Sequence, residues 1–169
     1  MKFLIVVDMQ NDFISGSLGS GAAQEIVQRV ADKVKSYAGR VIFTRDTHDA
    51  AYLTTQEGKK LPVMHCVKDT EGWQICDALK PYAKEVVDKI TFGSVSLPDI
   101  LEKAGELIEE IELCGLCTDI CVISNAMLLK AHFPETVIKV DASCCAGVTP
   151  ESHETALEAM QAVQIEIVK

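Results

Sequence analysis

Cys121 is one of seven cysteines in this 169-residue chain, and its setting gives it chemistry. It falls in the first turn of TDICVISNAMLLKAHF, a segment that reads as a helix with Thr118 as its cap. Unpaired amide protons and the dipole at a helix start favour a thiolate. A cysteine so placed can act as a nucleophile, with nearby backbone N–H groups to hold an oxyanion. Buried cysteines more often serve as small apolar side chains, so position alone leaves both roles open. CGLCTDIC also spaces Cys114, Cys117 and Cys121 in a way that raises an iron–sulfur or zinc site. Cys114 lies inside a predicted strand while the other two follow it, and no matching zinc-spaced pair occurs elsewhere.

Two charged residues end apolar runs. Asp8 closes KFLIVVD, where a carboxylate is either a polar strand end or a general base held out of bulk water. Lys89, in EVVDKI, is either a solvated lysine or the positive charge that keeps a cysteine active. Phe13, in DMQNDF, offers a stacking surface for a planar substrate or simple core packing.

TRDTH sets Asp46 and His48 two residues apart, so in extended backbone both face one way. Glu57 and His65 lie further along the same loop. Two carboxylates and two imidazoles suit one divalent transition metal such as zinc, iron or manganese. The remaining histidines, His132 and His153, fall on predicted helices and read as surface or packing residues.

These residues need elements to hold them. KFLIVVD, RVIFTRD, EVVDKI, ELIEEIELCG, TVIKVDA and QIEIV read as strands, the fourth ambiguous with helix at its acidic start. AAQEIVQRVADKVKSYA, SLPDILEKAG (Ser96 near its cap), TDICVISNAMLLKAHF and TPESHETALEAMQAV (Pro150 in first position) read as helices. Residues 46–72 show no period, and loops of that length inside a compact domain tend to be functional. The alternation predicts an α/β fold: a three-layer Rossmann-like sandwich around a six-stranded, mostly parallel sheet. In such sheets ligands bind beyond the carboxyl ends of the strands, which singles out Asp8, Asp46, Lys89 and the GLCTDIC turn.

The chain is long enough for one domain, 1–169, with a sizeable core. A net charge of −9 argues against nucleic acid and anionic lipid as partners. MKFLIVVD is too short an apolar run for a signal peptide or a membrane span, so the cysteines read as reduced thiols in a cytoplasmic protein.

Taken together, LIVVDMQNDF, TRDTH, LPVMHCVKDTEGW, DKITFGS, GLCTDICV and VDASCCAGVTPESHETAL resemble, in order and spacing, the isochorismatase-like cysteine hydrolase superfamily and its nicotinamidase branch. The resemblance implies a triad of Asp8, Lys89 and Cys121, and a cis peptide at Leu116–Cys117 that aims the amides of Cys117 and Cys121 at an oxyanion. It implies hydrolysis of a small amide, with nicotinamide leading, through an acyl-enzyme on Cys121. An amidase for another small or ureido amide, or a non-catalytic metal or redox module, are the alternatives. It also implies one metal ion on Asp46, His48, Glu57 and His65 that grips a substrate ring nitrogen, and a homo-oligomer. The sequence departs from the branch in two places. Tyr52 and Thr54 stand where many members have another histidine, and Leu61 and Pro62 stand where many have an aromatic residue, which leaves Phe13 as the ring wall.

Overall fold

A computed structural model describes residues 1–105 and 107–169. Along the chain run β1 (Lys2–Val7), α1 (Asn11–Ile14), α2 (Gly21–Ser36), β2 (Arg40–Asp46), α3 (Gln56–Lys60), β3 (Val86–Lys89), α4 (Leu97–Glu102), β4 (Glu110–Leu116), α5 (Ile123–His132), β5 (Val137–Ala146), α6 (Pro150–Ala162) and β6 (Glu166–Val168). Among the described residues the strands form one six-stranded sheet in the order β3-β2-β1-β4-β5-β6. Every neighbouring pair is parallel, so the expected mostly parallel sheet is parallel throughout.

Burial explains the uninterrupted apolar runs. Phe3 to Val7 of β1 are all fully buried, as a central strand covered on both faces requires. The chain steps one way from β1 to β2 and the other way from β4 to β5. With right-handed crossovers, α2 then covers one face and α5 and α6 the other. The order reverses between β1 and β4, and a crevice opens there beyond the strand ends. Gly115 makes that junction possible. Its φ is +116°, and a Cβ there would come within 2.2 Å of the Val7 carbonyl oxygen.

Helix α2 buries Ala23, Ile26, Val30, Ala31 and Val34, and the Ser20 hydroxyl caps it by accepting from the Ala23 N–H. At the start of α6, Thr149 and Ser152 form a capping box with Pro150 in first position, as expected.

Several boundaries differ from the sequence reading, β5 among them, which runs on past Ala142 to Ala146. β4 begins at Glu110, so the acidic lead-in is not strand, and Glu106 lies outside the described residues. The aperiodic loop holds a 3₁₀ turn, Tyr52–Thr54, and the five-residue α3, both too short to build an apolar stripe. α4 spans Leu97–Glu102, and the Ser96 side chain does not cap it. Thr118 is not a cap either: a π-helical turn, Thr118–Val122, precedes α5 and starts from Cys117. Among the described residues no helix is long and apolar enough to cross a membrane.

Candidate active site

Asp8, Asp46, Lys89 and Cys121 converge at the strand ends on either side of the order reversal. Asp8 follows β1 with φ +48°, an unusual conformation for a non-glycine residue. Its carboxylate is fully buried and accepts the Thr44 hydroxyl on Oδ1 at 2.7 Å. Lys89 Nζ lies 2.7 Å from Asp8 Oδ2, close enough for an ion pair although the two are not aligned as a hydrogen bond. The same ammonium reaches Asp46 Oδ1 at 3.3 Å, the Thr91 carbonyl at 3.0 Å and Cys121 Sγ at 3.5 Å. With its side chain 1% exposed, Lys89 is not the solvated strand-end lysine that its position in the sequence also allowed.

Electrostatics here run against the expectation of a standing thiolate. Burial pushes the Cys121 thiol well above its ordinary pKa, Asp8 pushes the same way, and Lys89 opposes them. Burial likewise raises the Asp8 carboxyl, against the pull of Lys89. For Lys89, burial disfavours the charge, but Asp8, Cys121 and Asp46 outweigh it and hold the ammonium protonated. The neighbouring Cys117 thiol is also pushed up by burial, to about 12. Proximity to Lys89, rather than acidity, distinguishes Cys121 from the other thiols. The Leu116–Cys117 peptide is cis, as the family pattern implied.

Asp46, His48, Glu57 and His65 form a second cluster that shares Asp46 with the first. His48 Nε2 is 2.9 Å from Asp46 Oδ2 and 3.7 Å from Glu57 Oε1. His65 Nε2 is 3.6 Å and 3.9 Å from the same two oxygens. His48 Nε2 is buried yet has no aligned hydrogen-bond partner. His65 Nδ1 lies 2.8 Å from the Val63 carbonyl, which can only accept, so the Nε2 lone pair faces the cluster. An unpartnered imidazole nitrogen, a second one aimed the same way and two carboxylates make a donor set that fits a divalent cation. Among the described residues these four are the donors close enough to share an ion, and Cys114, Cys117 and Cys121 form no such group.

Sequence reasoning missed the scaffold behind the four donors. Gln10 is fully buried, accepts the Asp46 N–H at 2.7 Å and donates to the Asp46 carbonyl at 2.8 Å and the Trp73 carbonyl at 3.0 Å. Asp12 accepts the Cys66 N–H at 2.7 Å, next to His65. Tyr52, where many members have a histidine, packs its ring 4.5 Å from His48 and 4.9 Å from His65 and gives its hydroxyl to the Leu61 carbonyl. Asn125 ties the Cys121 turn to the β3–α4 loop, donating to the Cys121 carbonyl at 2.8 Å and accepting the Ser94 N–H at 2.9 Å. A polar side chain inside an apolar motif, as in VVDMQ, was the available signal for Gln10.

A cavity of about 450 Å³ joins the two clusters, with Asp46, His65, Cys117 and Cys121 in its lining and Phe13 on its wall. The Phe13 ring sits 5.6 Å from that of His65. Leu61 and Phe92 also line the cavity, so the wall does not rest on Phe13 alone. His153 is not the bland residue expected, because its Nδ1 lies 2.7 Å from the buried Thr118 hydroxyl. His132 pairs with Glu102 on the surface, as expected.

Known proteins are similar to this chain along nearly its whole length. A nicotinamidase of Saccharomyces cerevisiae is 26% identical, with 99% of each chain covered. A nicotinamidase/pyrazinamidase of Mycobacterium tuberculosis is 28% identical, covering 99% of this chain and 98% of its own. The crystal structure of a Pyrococcus horikoshii pyrazinamidase in complex with zinc superposes with a TM-score of 0.86 at 27% identity, over 99% of this chain and 98% of that one. The family model described as the isochorismatase domain matches residues 2–169. With the parallel sheet, the strand-end Asp8, Lys89 and Cys121 and the cavity between them, the chain belongs to the isochorismatase domain family.

Proposed function

We propose that this protein is a cysteine amidohydrolase of the nicotinamidase type, converting nicotinamide to nicotinate and ammonia within a single domain. One observation carries the reading. Cys121 Sγ lies 3.5 Å from Lys89 Nζ, which lies 2.7 Å from Asp8 Oδ2, beside a cavity shared with the four-donor cluster. The nicotinamidases of yeast and M. tuberculosis support the choice of amide.

The Asp8 carboxylate takes the thiol proton as Cys121 Sγ attacks the carboxamide carbon. The carbonyl electron pair moves onto oxygen, and the N–H groups of Cys117 and Cys121 hold the oxyanion. Asp8 returns the proton to the amine, the C–N bond breaks, ammonia leaves, and a thioester remains on Cys121. Asp8 then deprotonates water, which attacks the thioester; the second tetrahedral intermediate expels the thiolate, and Asp8 reprotonates it. Lys89 balances the charge passed between thiol and carboxyl. Asp46, His48, Glu57 and His65 would hold a divalent transition metal (zinc, iron or manganese), which would supply Lewis-acid affinity for a ring nitrogen. Phe13 and Phe92 flank the ring.

Ammonia release across an amide panel tests the reading: nicotinamide turns over, and Cys121→Ala does not. Another small amide as the preferred substrate is the second reading, favoured by Leu61 lining the cavity where many members set an aromatic ring. A panel on which no amide releases ammonia defeats both. By the family pattern we also expect a homo-oligomer, and light scattering on the purified chain reads its mass.

A further inference from the structure

The turn that carries Cys121 has no side-chain cap at its start, residue Cys117. Its own backbone closes it through the Ile120 and Val122 N–H groups, which donate to the Cys117 carbonyl at 3.1 and 3.0 Å, and through the Ile123 N–H, which reaches the Thr118 and Ile120 carbonyls. Two further ties come from the start of α6 and from the β5–α6 connection before it. Thr118 is fully buried, and its Oγ1 shares a 2.7 Å hydrogen bond with Nδ1 of His153, in the second turn of α6. Asp119 Oδ1 accepts the backbone N–H of Val148 at 3.1 Å. His153 is fixed in turn by close packing, since a Cβ on Gly147 would come within 2.8 Å of its own Cβ. Asp8 and Lys89 approach Cys121 from β1 and β3 instead, so the grip on the turn is separate from the groups that handle the thiol proton.

We propose that His153 is a positioning residue: through Thr118 it holds residues 117–121 where their amides meet the developing oxyanion. The rate consequence rests on the amidohydrolase reading; the grip on the turn does not. Losing the tie lets the turn move, and a small displacement of an oxyanion donor costs rate without costing ground-state binding.

The test uses the metal-loaded enzyme. His153→Ala lowers kcat at least about tenfold and leaves KM and the rate of Cys121 alkylation by iodoacetamide at parent values. Asparagine places a polar atom close to the position of Nδ1, and glutamine close to that of Nε2. His153→Asn therefore restores kcat and His153→Gln does not. Thr118→Val loses the same factor as His153→Ala, and the double variant loses no more than either, because one bond is removed twice. Amide hydrogen exchange supplies a readout independent of substrate: residues 117–122 exchange faster in His153→Ala and His153→Gln than in the parent or His153→Asn. Equal behaviour of the Asn and Gln variants, parent-like kcat in His153→Ala, or unchanged exchange over 117–122 each overturns the inference. A parent that releases no ammonia defeats the amidohydrolase reading instead, and the exchange comparison still decides the role of His153.

Discussion

Two lysines in this molecule sit against the sheet between two carboxylates, and they do different things. Lys33, on α2, donates to Asp141 at 2.6 Å and forms an ion pair with Glu112 at 2.7 Å, and Asp141 is further satisfied by the Ser143 N–H and hydroxyl. The group staples α2 to the flat of β4 and β5. Lys89 also meets two carboxylates, but at the strand ends. There Asp8 Oδ2 lacks an aligned partner, a thiol lies in reach, and a cavity opens alongside. In both places one lysine meets two carboxylates. What separates a staple from a reactive group is unsatisfied capacity beside space for a ligand.

The largest test of this contrast is to remove the thiol. Cys121→Ala should lower kcat by roughly 10⁴-fold or more, whereas Lys33→Met should leave it unchanged; a Lys33 variant with collapsed kcat breaks the comparison. Next come the charged partners. Lys89→Met and Asp8→Asn should each cost roughly 10²–10⁴-fold in kcat, with metal retained by elemental analysis. Third is the neighbouring cluster. His48→Ala with His65→Ala should abolish stoichiometric metal binding while iodoacetamide still modifies Cys121, and Glu57→Ala decides whether that carboxylate is a ligand. Ion still bound to the double variant would place the site elsewhere.

The smaller effects fall on the staple. Lys33→Met should lower unfolding stability by about 1–3 kcal/mol, because it leaves two mostly buried carboxylates without their cation. Its pH dependence sharpens the point. Burial alone would raise the Asp141 carboxyl, but the hydrogen bond from Lys33 leads the interactions that hold it below its ordinary value. A depressed carboxyl contributes stability above its unfolded pKa of about 3.9 and loses it as pH falls through the folded value. The gap in melting temperature between parent and Lys33→Met should therefore narrow in acid below about pH 4. A gap that stays constant there would mean that Lys33 acts through packing alone.

Much of the fold was legible before the structure. Short continuous apolar runs rich in β-branched residues, such as FLIVV, read as strands buried on both faces, and their alternation with helical stripes predicts a parallel sheet. The four donors Asp46, His48, Glu57 and His65 were legible because imidazoles and carboxylates are chemically distinctive residue types. Boundaries were less so. α3 has five residues, too few for a period to emerge, and the π-helical turn at Thr118–Val122 shares its residues with an ordinary helix start.

By itself the sequence determined the sheet, the strand ends that face the crevice, and the residue types able to react there, because periodicity and side-chain chemistry are local properties. Tertiary structure alone decided which neighbours each group meets. It buried Cys121, so the thiol is raised rather than ionised by its helix end. It seated Gln10 around both backbone groups of Asp46, packed the Tyr52 ring tilted against His48 and edge-on to His65, and joined His153 to Thr118 across 35 residues of chain. Burial and long-range pairing depend on where distant segments pack, and residue spacing along one chain does not encode that distance.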